Sequence, residues 1–195
     1  LSEFDIEFEE GKHSLERILK ADEIIKSPGI PDDIPVLNAI RERGIPVISE
    51  IEFAARYTKA KLICVTGSNG KTTTSLLTHH IMKQSGLDAV VAGNVGNSFA
   101  MEVARKDHDY FVLEISSFQL DGMFDFKADI AILTNITPDH LDRYDGSFER
   151  YTDSKFRIIR NMDKQGAFIY CMDDIMISKR LAETNIIPCT YPITL

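Results

Sequence analysis

The sequence LICVTGSNGKTTT, residues 62–74, passes from an apolar segment through a short glycine loop to a lysine and three threonines. Residues 62–66 have the continuous apolar character of a buried β-strand. The segment from about Lys71 to Gln84 has the pattern of a helix, with Gly86 as its stop. A strand, a glycine loop and a helix in this order predict a phosphate-binding loop, because the N–H groups at a helix start attract anions.

The loop is a compressed form of the standard phosphate-binding pattern G-x-x-x-x-G-K-[ST]. Val65 stands where the first glycine is expected, and Gly67 takes over that role. We predict that Lys71 reaches the β- and γ-phosphates of a nucleotide, while the Thr72 hydroxyl reaches Mg²⁺. The predicted nucleotide-binding residues are Gly67, Ser68, Asn69, Gly70, Lys71, Thr72 and Thr73. The alternative is a glycine turn that starts a helix, with Lys71 in solvent.

The composition is that of a soluble globular protein. Of the 195 residues, 44% are hydrophobic and 27% are charged, and the formal net charge is −8. Nucleic-acid binding usually needs a basic face, so we predict no nucleic-acid partner. No apolar run approaches the length of a membrane span, and the acidic first ten residues do not resemble a signal peptide. We predict a cytoplasmic protein whose three cysteines are reduced apolar residues.

Strands and helices are predicted to alternate after residue 61. The predicted strands are 62–66, 88–92, 110–115, 129–134, 167–171 and 186–191, and the predicted helices are 71–84, 97–106, 147–161 and 174–182. Near-continuous runs of Val, Ile and Leu are typical of a parallel sheet that is covered on both faces. The expected fold class is therefore α/β, with a parallel-sheet P-loop domain.

A smaller unit precedes this domain. Residues 23–26 and 46–49 read as strands, with a helix between them that Asp32 or Asp33 can cap. Residues 50–57 read as a further helix, and the polar segment TKAK at 58–61 separates the two blocks. We therefore assign residues 1–57 to a first domain and residues 58–195 to a second. Since the chain begins with Leu and ends just after an apolar run, we expect both to be incomplete.

Polar residues follow the predicted strands at their carboxyl ends, where parallel sheets bind ligands. Glu114 ends a strongly apolar strand, and a carboxylate there is better explained as a Mg²⁺ ligand than as a core residue. The segment ILTNITPDHLDRY follows another strand and contains His140, a candidate ligand of metal or substrate. Taken alone, a loop histidine is more often solvated than a ligand, and Asp142 and Arg143 can simply form a surface ion pair. By pattern alone, Lys155 is a solvated helix lysine.

Together these motifs resemble the Mur ligases of peptidoglycan synthesis. The motifs that carry the resemblance are TGSNGKTTT, GNVG, LEISSFQLD and NITPDHLDRY. SPGI at 27–30 and SSFQLD at 116–121 are similar to the members that add D-glutamate. The resemblance covers residues 27 to about 174, and it implies a Rossmann-like first domain followed by the central ATPase domain of this family.

The resemblance implies a site for ATP and two Mg²⁺ ions. Lys71 and Thr72 would hold ATP and one Mg²⁺, Glu114 would ligate Mg²⁺ between the phosphates, and His140 would approach the second ion and the substrate. Lys155 matches the lysine that reacts with CO₂ to form a carbamate, a Mg²⁺ ligand with a carboxylate's charge. The implied catalytic residues are Lys71, Glu114, His140 and Lys155, and the implied metal ligands are Thr72, Glu114, His140 and carbamylated Lys155.

The resemblance also implies the substrates. Asn94, Ser116 and Gln119 would contact the UDP-sugar, and Gly29 would line the uridine pocket. The carboxylate of UDP-N-acetylmuramoyl-L-alanine would attack the γ-phosphate of ATP, and D-glutamate would displace phosphate from the resulting acyl phosphate. All implied partners are small molecules, and we expect a monomer.

The family has a third, C-terminal domain that closes over ATP and holds the amino acid, and this chain does not match it. We therefore expect the chain alone to lack ligase activity and to bind ATP weakly. Two alternatives remain: a ligase of the folylpolyglutamate synthase type, and a non-catalytic P-loop nucleotide-binding module. The first shares the ATP loop but lacks the SSFQL run. A switch GTPase would need an N-K-x-D tetrapeptide, which this sequence lacks.

Overall fold

The computed structural model describes residues 6–194 as an α/β structure with two sheets. Its strands are β1 (Ile24–Lys26), β2 (Val47–Ser49), β3 (Lys61–Thr66), β4 (Ala89–Gly93), β5 (Tyr110–Glu114), β6 (Ile130–Leu133), β7 (Ala167–Cys171) and β8 (Cys189–Ile193). Its α-helices are α1 (Leu15–Ile18), α2 (Pro35–Glu42), α3 (Glu50–Ala54), α4 (Lys71–Gln84), α5 (Phe99–Arg105), α6 (Ser117–Asp121), α7 (Phe148–Phe156) and α8 (Ile175–Glu183). Short 3₁₀ turns cover Ala55–Tyr57, Leu141–Tyr144 and Arg157–Ile159.

The larger sheet has six parallel strands in the order β4-β5-β3-β6-β7-β8. β3 lies in its interior, and residues 62–66 are buried, as their apolar character requires. The chain leaves β3 toward β4 and β5 on one side and later places β6 on the other side. Such a reversal of strand order opens a crevice at the carboxyl ends of the central strands. The predicted α/β class with a parallel sheet is confirmed.

The smaller sheet pairs β1 and β2 in parallel, with α2 as the connecting helix. This arrangement confirms the predicted β-α-β unit. The predicted helix cap is wrong, because α2 begins at Pro35 and its cap residue makes no side-chain hydrogen bond. Asp32 instead forms ion pairs with Lys26 at 3.3 Å and Arg41 at 3.0 Å.

The two sheets are joined through α3 and the segment after α6. The carboxylate of Glu52 is buried and accepts hydrogen bonds from the backbone N–H groups of residues 124, 125 and 126 at 2.9–3.1 Å. The Ser49 N–H donates to the Gly122 carbonyl oxygen at 2.8 Å. A Cβ at residue 122 would lie 2.6 Å from the Ser49 nitrogen, so glycine permits this close approach. The buried charge of Glu52 is thus satisfied by main chain of the larger unit.

Several predicted boundaries differ from the structure. The helix predicted for 147–161 is the shorter α7, followed by the 3₁₀ turn Arg157–Ile159. The strand predicted for 186–191 is β8, displaced toward the C-terminus because Cys189 pairs with Ala167 of β7. The sequence analysis did not predict α6, because a helix of five residues is too short for its periodicity to be recognised.

The apolar side of α4 faces outward. Leu76, Leu77 and Ile81 are 45%, 55% and 56% exposed, whereas the completely buried residue of this helix is Ser75. The helix is present as predicted, but its apolar stripe does not contribute to the core described for residues 6–194. None of the helices in that range combines the length and apolar character that a membrane crossing requires.

The three cysteines are free. Cys64 on β3 is fully buried, and burial raises the pKa of its thiol well above the ordinary value. Cys64 therefore fits the predicted role of an apolar core residue. That prediction is wrong for Cys189, which is exposed on the edge strand β8.

Candidate active site

The glycine loop connects β3 to α4 and packs closely against the segment that follows β6. Gly67 has φ +147° and Gly70 has φ +80°, both in the region that glycine adopts readily. A Cβ on residue 67 would overlap the Thr134 hydroxyl oxygen. Glycine at this position therefore lets the loop approach the end of β6, which explains why the shortened motif retains it.

The loop conformation is fixed by hydrogen bonds to the same segment. The Ser68 N–H donates to the Asn135 carbonyl oxygen, and the Asn69 N–H donates to the Asn135 side-chain oxygen, both at 2.9 Å. The Ser68 hydroxyl oxygen lies 2.9 Å from the Tyr151 hydroxyl oxygen on α7. These two loop N–H groups are committed to Asn135, so they are not available to a phosphate in this conformation.

The start of α4 is open to an anion. Among the described residues no side chain caps this helix, so its first-turn N–H groups are not satisfied by a capping side chain. Thr72 and Thr73 are exposed in that first turn. The Lys71 ammonium donates to the carbonyl oxygens of Gly67 at 3.0 Å and Ser68 at 2.9 Å. A positive charge beside an uncapped helix start is suited to a phosphate group.

Glu114 is a buried carboxylate at the end of β5, only 2% exposed. Its Oε1 accepts a hydrogen bond from the Asn94 amide at 2.7 Å, whereas Oε2 has no hydrogen-bond partner among residues 6–194. The Asn94 N–H also donates to the Glu114 carbonyl oxygen at 2.9 Å, and a Cβ on Gly93 would overlap that oxygen. A buried carboxylate oxygen without a donor is costly. A cation is the partner that its charge favours.

His140 lies at the start of the 3₁₀ turn Leu141–Tyr144 and has a left-handed backbone, with φ +49°. Its side chain is 59% exposed, and Nε2 lies 3.6 Å from an Asp139 carboxylate oxygen. Its ring centroid is 5.4 Å from that of Phe118 on α6. The imidazole is therefore held near the cleft by ring and carboxylate contacts and stays accessible.

Lys155 lies on α7 and is only 2% exposed, so the solvated position that its pattern suggested is wrong. Its Nζ lies 4.9 Å from the centre of the Tyr151 ring, and no hydrogen bond from it occurs within residues 6–194. Burial, and secondarily the Lys71 charge, lower the pKa of Lys155 to about 7, while Asp139 and Asp121 oppose the shift. Near neutral pH this amine is therefore partly uncharged and nucleophilic.

Ser116 and Gln119 form a capping box at the start of α6. The Gln119 N–H donates to the Ser116 hydroxyl at 3.3 Å, and the Gln119 side-chain oxygen accepts from the Ser116 N–H at 2.9 Å. Gln119 is 5% exposed, whereas Ser116 lines the cleft described next. The structure thus shows Gln119 orienting Ser116 and α6.

One cleft of about 310 Å³ lies at the carboxyl ends of the central strands. It brings together six of the predicted site residues: Gly29, Lys71, Asn94, Ser116, His140 and Lys155. They come from segments separated by up to 126 residues of sequence (155 − 29) and meet because parallel strands end at one edge. A larger cleft of about 930 Å³ contains none of the six, so size alone does not mark the site.

The cleft has six further lining residues that were not predicted as site residues: Pro28, Ser117, Phe118, Asp139, Arg143 and Tyr151. Tyr151 lies one helical turn before Lys155 and shares its face, Phe118 contacts His140, and Asp139 lies beside it. The i, i+4 spacing of Tyr151 and Lys155 was the signal available in the sequence. Nothing in the pattern distinguishes Phe118 from a core phenylalanine.

Side chains of the usual metal-binding types do not form a metal site by themselves here. Among residues 6–194, no three His, Cys, Asp or Glu side chains are close enough to hold a metal ion. The carboxylates of this region are Glu114, with its unpartnered oxygen, and Asp139, which lines the cleft. A metal bound there would need further oxygen ligands from phosphate groups, hydroxyls or a modified side chain.

Comparison with known proteins assigns a family. Residues 65–193 match the family described as Mur ligase middle domain. The chain is 56% identical over 187 residues to UDP-N-acetylmuramoylalanine--D-glutamate ligase from Bacteroides fragilis. That alignment covers 96% of this chain and 42% of the relative, so the chain spans about two fifths of the relative's length.

Solved structures show the same fold at low sequence identity. The UDP-N-acetylmuramate:L-alanyl-gamma-D-glutamyl-meso-diaminopimelate ligase from Neisseria meningitides superposes with a TM-score of 0.63 at 18% identity, covering 89% of this chain and 58% of that one. The MurF ligase from Thermotoga maritima in complex with ADP gives a TM-score of 0.57 at 17% identity, covering 80% and 44%. At these identities the likeness supports the fold alone.

Proposed function

The chain belongs to the Mur ligase family, and on this premise we propose that the complete gene product joins D-glutamate to UDP-N-acetylmuramoyl-L-alanine at the expense of ATP. The name of the Bacteroides fragilis relative supports the choice of D-glutamate within the family. The observation that carries the proposal is the cleft, where Lys71, His140 and the buried Lys155 meet next to an uncapped helix start.

ATP is the proposed phosphate donor. The N–H groups from Gly70 onward would receive its phosphates, with Lys71 beside them and Thr72 and Thr73 in the first turn of α4. Ser68 and Asn69 would act mainly by holding the loop against the segment after β6. The ADP bound in the Thermotoga maritima MurF ligase supports a nucleotide in this fold.

Magnesium fits the residues present. Glu114 offers a buried oxygen without a hydrogen-bond donor among residues 6–194, Thr72 offers an exposed hydroxyl in the first turn of α4, and His140 offers an imidazole that lines the cleft. Bound Mg²⁺ would offset the negative charge of the ATP phosphates and of the substrate carboxylate. We propose two ions, as in the family resemblance. Lys71 contributes its own positive charge at the same edge of the sheet.

Lys155 is proposed to become a carbamate. Its neutral amine forms an N–C bond with CO₂, the π electrons of one C=O bond move to oxygen, and one proton is released to solvent. The product is an anion that can ligate Mg²⁺, whereas an ammonium would repel it. The pKa of about 7 supports this step, because the reacting form of the amine is populated at neutral pH.

The proposed reaction has two steps. A carboxylate oxygen of the L-alanyl group attacks the γ-phosphorus of ATP, the P–O bond to ADP breaks, and an acyl phosphate forms. The amine of D-glutamate then attacks the acyl carbon, the C–O bond breaks, and phosphate leaves as the amine loses a proton. His140 and Lys71 would orient and stabilise the anionic groups, and they reach the cleft from different loops.

The remaining residues are proposed to bind the nucleotide-sugar. Gly29 of the smaller unit lines the cleft together with Asn94 and Ser116, which follow β4 and β5, and Gln119 fixes the position of Ser116. We assign residues 1–57 to the UDP-substrate domain and residues 58–195 to the ATP-binding domain. The two separate sheets support that division. We further propose a cytoplasmic monomer, whose amino-acid pocket lies mostly outside this chain.

The chain alone is proposed to lack ligase activity, since it spans 42% of the length of its relative. The test therefore uses the complete gene product with ATP and UDP-N-acetylmuramoyl-L-alanine. We expect phosphate release with D-glutamate and not with L-glutamate, L-alanine or L-lysine. Release that depends on a folate and L-glutamate would favour the folylpolyglutamate synthase alternative. Nucleotide binding without amino-acid-dependent release would favour a non-catalytic module.

A further inference from the structure

Arg143 connects the two units of the chain beside the cleft. It lies in the turn Leu141–Tyr144, three residues after His140. Its Nη2 donates hydrogen bonds to the carbonyl oxygens of Ile30 at 3.2 Å and Pro28 at 3.4 Å. These acceptors flank Gly29 and are 113 and 115 residues away in sequence. The guanidinium thus holds the 27–30 loop against the cleft from the opposite unit.

The Arg143 guanidinium also lies over an aromatic ring. Its Cζ lies 4.4 Å from the centre of the Phe118 ring, the same ring that contacts His140 at 5.4 Å. Phe118 also stacks on Tyr144, with the ring centroids 6.2 Å apart. Stacking and directed hydrogen bonding together need a planar group, which arginine has and lysine lacks.

Ion pairing does not explain the position of Arg143. The predicted surface pair with Asp142 does not occur within residues 6–194, and the recorded carboxylate partner is Asp32 at 4.0 Å. Asp32 lies closer to Lys26 and Arg41, at 3.3 and 3.0 Å. The shortest contacts of the Arg143 guanidinium are therefore those to the two loop carbonyls.

We propose that Arg143 is a positioning residue that fixes the 27–30 loop for the nucleotide-sugar substrate. Through Phe118 it also ties that loop to His140, so the uridine side and the reacting carboxylate are aligned by one side chain. The inference rests on the proposed function, since it assigns the loop to that substrate. Arg143 lines the cleft and contacts the loop, and the proposal gives it no direct role toward the reacting atoms.

The test compares Arg143→Ala and Arg143→Lys with Arg150→Ala in the complete gene product. Arg150 is the matched control, an exposed arginine whose recorded ion pair is with Asp145. We expect the KM for UDP-N-acetylmuramoyl-L-alanine to rise about tenfold in both Arg143 variants, because charge-assisted hydrogen bonds that order the loop are lost. The KM for ATP and the kcat should change less than about threefold, and the control should match the wild type.

Hydrogen exchange supplies a readout that does not depend on activity. The Ile30 amide donates to the Ser27 carbonyl oxygen at 3.1 Å within the loop. Its exchange should become about tenfold faster in both Arg143 variants and stay unchanged in Arg150→Ala. Unchanged Ile30 exchange, or KM values for ATP and nucleotide-sugar that rise together, would overturn the proposal. A wild-type protein without D-glutamate-dependent phosphate release would instead overturn the proposed function, while the exchange result would still decide the role of Arg143.

Discussion

Lys155 is the most unusual residue of the candidate site, because it is buried and its amine is partly uncharged near neutral pH. An exposed lysine with a pKa near 10.4 has only about one neutral amine in 2,500 at pH 7. Lys155, with a pKa of about 7, has about one in two. The difference comes mainly from desolvation on α7 and secondarily from the Lys71 charge. At the residue scale, burial and the lowered pKa are the observations that support the proposed reaction of Lys155 with CO₂.

We predict a carbamate on Lys155 that forms more extensively as the pH rises. Below pH 7, raising the pH both frees the amine and favours loss of the carbamate proton; above pH 7, only the second effect remains. At fixed dissolved CO₂ the carbamate should therefore increase throughout pH 6–8, most steeply below the pKa of about 7. NMR spectroscopy with ¹³CO₂ measures it as a carbamate carbonyl signal.

The control for this prediction is Lys155→Met, which keeps the apolar stem without the amine. The N-terminal amine, with an ordinary pKa near 8, reacts equally in both proteins and cancels in the comparison. A wild-type signal no larger than that of Lys155→Met at pH 8 would contradict the prediction.

Sequence patterns and family resemblance gave different answers for this residue. The periodicity of its helix predicted that Lys155 is exposed to solvent, because a local pattern contains no information about the segments that bury α7. The resemblance implied a reacting lysine, and the structure shows the buried environment that such chemistry needs. For Gln119 the motif was informative and the contact was not predictable. The family motif identifies Gln119 as a site residue, but only the structure shows its capping contact with Ser116.

At the scale of elements, the loop between β3 and α4 depends on the segment after β6. Gly67 has a positive φ and no room for a Cβ next to Thr134. Asn135 holds two of the loop N–H groups. The loop is therefore preformed by its neighbours, which is a condition for binding a phosphate without a large ordering cost.

Gly67→Ala should disturb both the fold and nucleotide binding. The new methyl group would displace Thr134 and strain the backbone, so we expect the free energy of unfolding to fall by about 2 kcal/mol or more. The matched control is Gly29→Ala, because a Cβ there meets no atom within 4 Å and its φ is not positive. Its effect should stay within about 0.5 kcal/mol. Urea unfolding measures both changes, and equal destabilisation by the two substitutions would refute this explanation of the loop.

The types of most helices and strands could be predicted from the sequence, but the residues at which they begin and end could not. Most strands of the larger sheet are short continuous apolar runs between turn residues, which is a recognisable strand signal. The predicted start of α2 was wrong because Asp32 forms ion pairs with Lys26 and Arg41 and does not cap the helix. The position of β8 depends on its pairing with β7, a long-range contact that no local pattern contains.

At the scale of the whole molecule, the larger sheet supplies most of the cleft, and the smaller unit adds Pro28 and Gly29 to its lining. Glu52 and Ser49 of the smaller unit form hydrogen bonds with the segment after α6, and Arg143 forms further hydrogen bonds with the smaller unit at the cleft. Sequence analysis could predict that strand ends gather at one edge, since parallel topology requires it. It could not predict these contacts between units, which join residues that share no motif.

The central claim is that this cleft activates a carboxylate by transferring phosphate from ATP to it. The most direct measurement uses UDP-N-acetylmuramoyl-L-alanine with both carboxylate oxygens replaced by ¹⁸O, together with ATP, D-glutamate and the complete gene product. An acyl phosphate requires one labelled oxygen to leave with phosphorus, so mass spectrometry should find phosphate with a single ¹⁸O and an amide product that keeps the other. Phosphate free of ¹⁸O would show that water, and not the carboxylate, attacked ATP, and would contradict the account.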